Sequence, residues 1–284
     1  MAEEKISGVV ITFFSTASSV GKTLIGVNMA SELARQGYRV CLVDYDLQFG
    51  DVANYLHIQV ERSVKDVLET MNSRPDVPLQ DCLTQYRYGM ISFDVVPAPE
   101  FLDEAYNISA DDCRRLIEKL RLLYDYVIID TTSMFSVLNL AMLDLSTIVT
   151  FLGVVDFIPT IKNMKIGNDT LRTLNYDTNK IRLVLNRSDA KTRISMEDVE
   201  QLLGGGFYHI LPNDFKAASE SIVTGVPLVL GGSESVLAKE IRKLISRYTN
   251  RAYDEDDGLP VFDHGEENGR RKSGGWFPRF SVRR

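Results

Sequence analysis

The sequence predicts a doubly wound α/β domain, a mostly parallel sheet with helices on both faces. Three observations carry this. Apolar, β-branched runs alternate with segments of helical periodicity along most of the 284 residues. The runs are continuously apolar, as strands buried on both faces are, and helical segments separate them. A loop of phosphate-binding form joins the first strand to the first helix. In such a sheet the ligand sits at the carboxyl ends of the strands.

The elements follow in order. A strand over 7–14 leads into Ser15-Thr-Ala-Ser-Ser-Val-Gly-Lys-Thr23, and helical periodicity starts at once over 22–36. A second strand, 39–44, ends in Val43-Asp44-Tyr45-Asp46. A helix over 63–72 and a strand over 91–96 come next. Ser109, followed by Asp111 and Asp112, signals the start of a helix over 110–124. The strand Tyr126-Val-Ile-Ile-Asp130 ends in an acid. A strand over 147–152, a helix over 157–175 and a strand over 181–185 closed by Asn186 follow. Ser195, with Glu197 and Asp198 behind it, opens a helix over 195–203. A last strand, 207–211, runs into Pro212-Asn213-Asp214, and helices over 214–223 and 234–249 complete the pattern.

Composition narrows the function classes. The apolar and charged fractions, 44% and 25%, are those of an ordinary globular domain, so nothing points to a fibrous or wholly disordered chain. Cys41, Cys82 and Cys113 are widely spaced and suggest no disulfide framework, so a reducing cytoplasm is expected. His57, His209 and His264 are scattered and show no metal-ligand spacing. No apolar stretch reaches the ~18 residues of a membrane span. Glu3 and Glu4 ahead of the first apolar run carry the wrong charge for a signal peptide.

The chemistry concentrates at the first loop. Gly21-Lys22-Thr23 is the intact back half of a phosphate loop, and Thr16 stands where the full pattern has glycine. Backbone N–H groups from Ser18 to Leu24 would cradle phosphates at the helix N-terminus. Lys22 would reach the β- and γ-phosphates, and the Thr23 hydroxyl would ligate Mg²⁺. Asp44 and Asp46 fall at the ligand-binding edge, although acids there also simply end strands. Asp130 would hold Mg²⁺ through water. Asn186 reads as a base contact or as a turn residue.

These residues carry a likeness. The chain resembles the ParA/MinD group of P-loop ATPases, and within it the CpaE/TadZ branch of pilus-assembly proteins. The specific segments are Asp44-Tyr-Asp-Leu-Gln-Phe-Gly-Asp-Val-Ala53, Leu183-Val-Leu-Asn-Arg-Ser188, Leu211-Pro-Asn-Asp214, and Ala218-Ser-Glu-Ser-Ile222 followed by Gly225-Val-Pro227. The likeness runs from about Val9 to about Tyr248. It implies ATP and Mg²⁺ as cofactors, with Lys22 and Thr23 as the loop's lysine and metal ligand. It implies that Asp46 orients the attacking water, that Asp44 lies near the metal, and that Asn186, Pro212 and Asn213 surround the adenine. It also implies a homodimer that sandwiches two nucleotides. Members of that branch often carry a receiver-like domain ahead of the ATPase domain. None is expected here, because the first strand begins at residue 7.

The departures from the pattern are specific. The family loop opens Lys-Gly-Gly, and those positions are Ala17, Ser18 and Ser19. Ala17 cannot reach across a dimer with a positive charge. Serines disfavour the positive φ that glycine allows. Thr131-Thr132 replaces the Pro-Pro that usually follows the Walker B acid. Nucleotide binding with weak or no hydrolysis is the expectation.

The composition changes after Arg251. Residues 254–267 hold seven acids and no Lys or Arg, and 270–284 hold six bases and no acid, with Trp276, Phe277 and Phe280 among them. The expected organisation is an ATPase-like domain over 1–253 and a disordered acidic linker with a basic, aromatic tip over 254–284. The tip suits an anionic membrane surface, which would place the protein at the inner face of the cell membrane. Pro278 interrupts any regular helix there. Pairing of the tip with the acidic linker is a further option. The body keeps an excess of acid, which argues against specific DNA binding. Three function classes stand open: a nucleotide-dependent localisation or assembly factor for pilus or secretion machinery, a DNA-partitioning ATPase, and a nucleotide-free scaffold.

Overall fold

The computed structural model describes residues 7–188, 195–231 and 235–250. The acidic linker and basic tip read from the sequence lie outside the described residues.

The chain begins with β1 (Val9–Phe14), the loop, and α1 (Lys22–Arg35). Then come β2 (Val40–Asp44), the short α2 (Val52–Leu56), and α3 (Val64–Ser73). A hairpin follows, β3 (Thr84–Tyr88) and β4 (Ile91–Val96), and then the one-turn α4 (Leu102–Ala105) and α5 (Ala110–Leu120). β5 (Tyr126–Asp130), α6 (Val137–Leu145), β6 (Ile148–Gly153), α7 (Ile158–Thr173) and β7 (Ile181–Leu185) continue the alternation. The chain closes with α8 (Met196–Leu203), β8 (His209–Ile210), α9 (Phe215–Thr224) and α10 (Val236–Thr249).

The eight strands form one sheet in the order β3-β4-β2-β5-β1-β6-β7-β8. All neighbours pair parallel except β3 and β4. The carboxyl ends of seven strands therefore share one edge. Side-chain parity along the central strands explains the continuous apolar runs. Ile11, Leu42 and Ile128 face the layer containing α1 and α10. Val10, Cys41, Val43, Val127 and Ile129 face the opposite layer, with Leu116 and Ile117 of α5.

Helix starts use the expected chemistry. The hydroxyls of Ser109 and Ser195 accept the N–H of Asp112 and Asp198, as do Ser136 and Ser235 at α6 and α10. Gly204 and Gly225 end α8 and α9 in the left-handed region. One buried ion ties α1 to α10. Glu32 is almost wholly buried, accepts from Arg35 at 2.7 Å, and lies 3.6 Å from Arg242, whose guanidinium donates to the Val229 carbonyl.

The expected elements all occur, with shifts. The strand expected over 207–211 is reduced to His209–Ile210, although Tyr208 and Leu211 on either side still donate to the Leu183 and Leu185 carbonyls of β7, each at 2.7 Å. The helix expected over 110–124 ends at Leu120, where 121–123 form a turn into β5. β3, α2, α4 and α6 are additions to the expected pattern.

Candidate functional site

The loop between β1 and α1 wraps the N-terminus of α1. Gly21 caps the helix at φ 98°, a conformation that L side chains rarely adopt. Ser19 also takes positive φ, 57°, so a serine occupies the conformation that glycine would relieve. Ser18 and Ser19 are exposed, and Val20 is buried in the core below them. Leu24 packs against the same core, and its carbonyl accepts from Asn28 at 2.8 Å.

Thr23 and Asp130 meet directly. The Thr23 hydroxyl donates to Asp130 Oδ2 at 2.5 Å. Asp130 is 2% exposed, and its other oxygen, Oδ1, has no hydrogen-bond partner. Burial pushes its pKa above the ordinary carboxylate value, partly offset by the Thr23 hydrogen bond and the Lys22 charge. Asp44 pairs with it in register across β2 and β5 and is also buried. Its oxygens accept the backbone N–H of Asp46 and of Val52, each at 3.1 Å. Burial and the Asp130 charge raise its pKa. Gly50 packs on this carboxylate, since a Cβ there would stand 2.5 Å from Asp44 Oδ2.

Lys22 lies among these acids. Burial lowers its pKa, against the opposing charges of Asp130 and Asp46. Its ammonium donates to Ser133 Oγ at 2.9 Å. Asp46 is half-buried and accepts the Phe49 N–H at 3.2 Å. Among the described residues no group of three or more His, Cys, Asp and Glu is placed to hold a metal on its own. Mg²⁺ keeps several waters and takes one or two protein oxygens beside phosphate. The unpartnered Asp130 Oδ1, beside the Thr23 hydroxyl and a second buried carboxylate, fits such a cation.

Asn186 reaches the loop from β7. Its Nδ2 donates to the Val20 carbonyl at 2.8 Å, and its Oδ1 accepts the Arg187 N–H at 3.0 Å. Arg187 donates to the Ser19 carbonyl at 3.0 Å. The side chain expected as a base contact or a turn residue supports the phosphate loop. Pro212 and Asn213 lie on the same edge, after β8, where the Ser188 N–H donates to the Leu211 carbonyl at 3.1 Å.

Two further residues belong to the site that the sequence pattern did not single out. Ser15 Oγ and Ser133 Oγ are 2.9 Å apart, and each reaches the Ala17 carbonyl, at 2.7 and 2.8 Å. Thr131, next to Asp130, uses its hydroxyl, which donates to the Phe13 carbonyl at 2.7 Å.

Side chains around this edge are unusually apolar. Phe49, Phe101, Met134, Phe157 and Phe215 follow β2, β4, β5, β6 and β8, and all are more than 60% exposed.

The comparisons with known proteins agree with this geometry. Residues 11–228 match the CobQ/CobB/MinD/ParA nucleotide binding domain, and the chain belongs to that family. It is 30% identical over 271 residues to the chromosome partitioning protein ParA of Myxococcus xanthus, covering 86% of this chain and 90% of that protein. It is 25% identical over 252 residues to the septum site-determining protein MinD of Thermotoga maritima, covering 84% and 88%. Among solved structures, a ParA family ATPase from Chlorobium tepidum superposes with a TM-score of 0.77 at 22% identity, over 84% of this chain and 99% of that one. MinD of Pyrococcus horikoshii, solved with Mg-ADP, gives 0.72 at 20% identity, over 85% and 96%. The fold is that of the ParA/MinD P-loop proteins.

Proposed function

We propose that this chain binds ATP with Mg²⁺ and acts as a nucleotide-dependent localisation or assembly factor, with slow hydrolysis or none. One observation carries the reading: Thr23 bonded to a buried Asp130 whose second oxygen lacks a partner, at the N-terminus of the helix that carries Lys22. In this reading the N–H groups of Ser18 to Leu24 hold phosphates, with Lys22 on the β- and γ-phosphates. Thr23 and Asp130 hold Mg²⁺ directly or through water, with Asp44 behind them. The metal would neutralise charge on the phosphates. Asp46 orients water. Asn186, Pro212 and Asn213 face the adenine.

Slow turnover follows from Ala17, which has no charge to offer a second nucleotide. Trans-acting cations are worth about 10³–10⁵ in rate in comparable enzymes. The apolar edge formed by Phe49, Phe101, Met134, Phe157 and Phe215 supports a homodimer closing on that edge. Service to pilus or secretion machinery rests on the segment from Asp44 to Ala53. A cytoplasmic protein touching anionic membrane through residues 270–284 rests on Trp276, Phe277, Phe280 and the six bases. No helix among the described residues is long and apolar enough to cross a membrane.

Calorimetry with ATP–Mg²⁺ tests the core of the reading. Heat should appear with the wild type and vanish with Lys22→Ala; no heat and no thermal shift at millimolar ATP would reject it. Light scattering with and without ATP tests the dimer. Emission of Trp276, the only tryptophan, should shift to the blue with anionic vesicles and not with neutral ones. Duplex DNA binding that weakens steeply with salt would instead favour the partitioning role.

A further inference from the structure

We infer that Ser133 is a positioning residue for the phosphate loop, holding the Lys22 ammonium and the front of the loop in one place. The inference rests on the nucleotide reading above and adds a residue to it. Three contacts converge on one hydroxyl. Ser133 Oγ accepts from Lys22 Nζ at 2.9 Å, donates to the Ala17 carbonyl at 2.8 Å, and lies 2.9 Å from Ser15 Oγ. Ser133 thus joins the lysine at the start of α1 to the turn where the loop leaves β1. It is the acceptor that faces the ammonium.

The platform beneath Ser133 is fixed on both sides. Asn139, 1% exposed, donates from Nδ2 to the Thr132 carbonyl at 3.2 Å, to Thr132 Oγ1 at 2.7 Å and to the Met134 carbonyl at 2.7 Å. The Phe135 ring packs on Phe14 at 4.9 Å between centroids. Thr131 is bonded to β1 through the Phe13 carbonyl. A hydroxyl on so constrained a segment has little freedom to leave Lys22.

The chemistry gives Ser133 a specific consequence. An ammonium has three N–H donors. One stays on Ser133, and two remain for phosphate oxygens. A long, four-carbon side chain loses rotamer entropy when it binds. Ser133 meets that cost before the ligand arrives, which is pre-organisation. The benefit is confined to ligands that reach Lys22. Nucleotides with β- and γ-phosphates gain it, and a nucleoside monophosphate does not. Ser133 and Ser15 together also hold the Ala17 carbonyl, at 2.8 and 2.7 Å. The loop's first turn then cannot point that carbonyl at incoming phosphate, where two negative oxygens would repel.

The test compares wild type, Ser133→Ala and Ser133→Thr, each titrated with ATP–Mg²⁺ and, by competition, with AMP. A hydrogen bond to a charged group sets the scale, so Ser133→Ala should weaken ATP roughly tenfold. AMP should change less than about twofold, which is within the effect of a neutral contact. Ser133→Thr keeps the hydroxyl and should restore ATP affinity. Should Ser133→Ala fail to fold, Ser133→Cys, whose sulfur is a weak acceptor, carries the same selective loss. Equal weakening of ATP and AMP would show a merely structural residue and overturn the inference. Unchanged ATP affinity in a folded variant would overturn it while leaving the nucleotide reading intact. Wild type that fails to bind ATP would overturn both.

Discussion

Asp44 and Asp130 are cross-strand partners, each the last residue of its strand and each almost wholly buried. They are not equivalent. Both oxygens of Asp44 accept backbone N–H groups, whereas Asp130 spends one oxygen on Thr23 and leaves the other unpartnered. Two neighbouring carboxylates in a dry site repel, and a divalent cation relieves that repulsion.

The first prediction follows from this asymmetry. Asp130→Asn removes a repulsive charge while keeping an oxygen for the Thr23 hydroxyl. The nucleotide-free variant should therefore melt no lower than wild type. Its ATP affinity in Mg²⁺ should equal its affinity in EDTA, whereas wild type should lose affinity on chelation. Differential scanning fluorimetry and calorimetry read the two effects. A variant that still binds ATP more tightly with Mg²⁺ would remove Asp130 from the metal's surroundings.

Gly21 offers the second. A Cβ there would stand 2.7 Å from Asn186 Nδ2, and φ is 98°. Gly21→Ala should cost about 2 kcal/mol, from the left-handed backbone and the displaced amide together. The double variant with Asn186→Ala should recover the steric part only, so the two losses should not add. Denaturant melts of the four proteins make the cycle.

Ser18 and Ser19 separate two roles of glycine. Ser19 holds positive φ and Ser18 does not. Ser19→Gly should relieve strain and raise stability by up to ~1 kcal/mol. Ser18→Gly should lower it by roughly 0.5–1 kcal/mol, because it only adds freedom to the unfolded chain. Opposite signs in equilibrium unfolding are the expected result, and equal signs would contradict it.

His209 predicts a pH slope. Its Nε2 lies 3.0 Å from the Glu240 carbonyl and 3.3 Å from the Glu240 carboxylate. Burial still outweighs that charge and holds the imidazole below its ordinary pKa of 6.5. The unfolded chain then binds the proton more readily than the folded one. This contribution is complete above pH 6.5 and is lost as pH falls below it toward the folded pKa. His209→Gln should flatten the stability profile below pH 6.5 and leave it unchanged at pH 8. A profile as steep as wild type would place the slope on another group.

Most of this architecture was legible in the sequence because burial on both faces leaves long apolar runs. The omissions have separate causes. β3 reads Thr-Gln-Tyr-Arg-Tyr, and only Tyr86 of its five residues is buried, so the edge strand has no apolar run. α6, Val-Leu-Asn-Leu-Ala-Met-Leu-Asp-Leu, is apolar on most sides and shows little helical periodicity. α2 and α4 are too short to establish a period. At the site, Gly21, Lys22, Thr23, Asp44 and Asp130 stood out because motif and strand ends coincide. Ser133 did not, since a serine three residues past a strand is an ordinary turn residue. Only the fold brings it to Lys22. Its one available signal was its place directly after Thr131-Thr132, where the sequence departs from the pattern it resembles. Asn186 was legible as a strand-end residue, but its bond to Val20 spans 166 positions and no local pattern encodes it.

The ion joining Glu32 to Arg242 has a consequence for reach. α1 opens on the phosphate loop and α10 ends at Thr249, so the point where the C-terminal segment departs is pinned to the same rigid body as Lys22. A fully extended chain covers at most about 3.5 Å per residue, so Trp276 can lie no farther than roughly 95 Å from the end of α10. Any surface that Trp276 touches therefore holds the phosphate loop within a bounded shell of solvent.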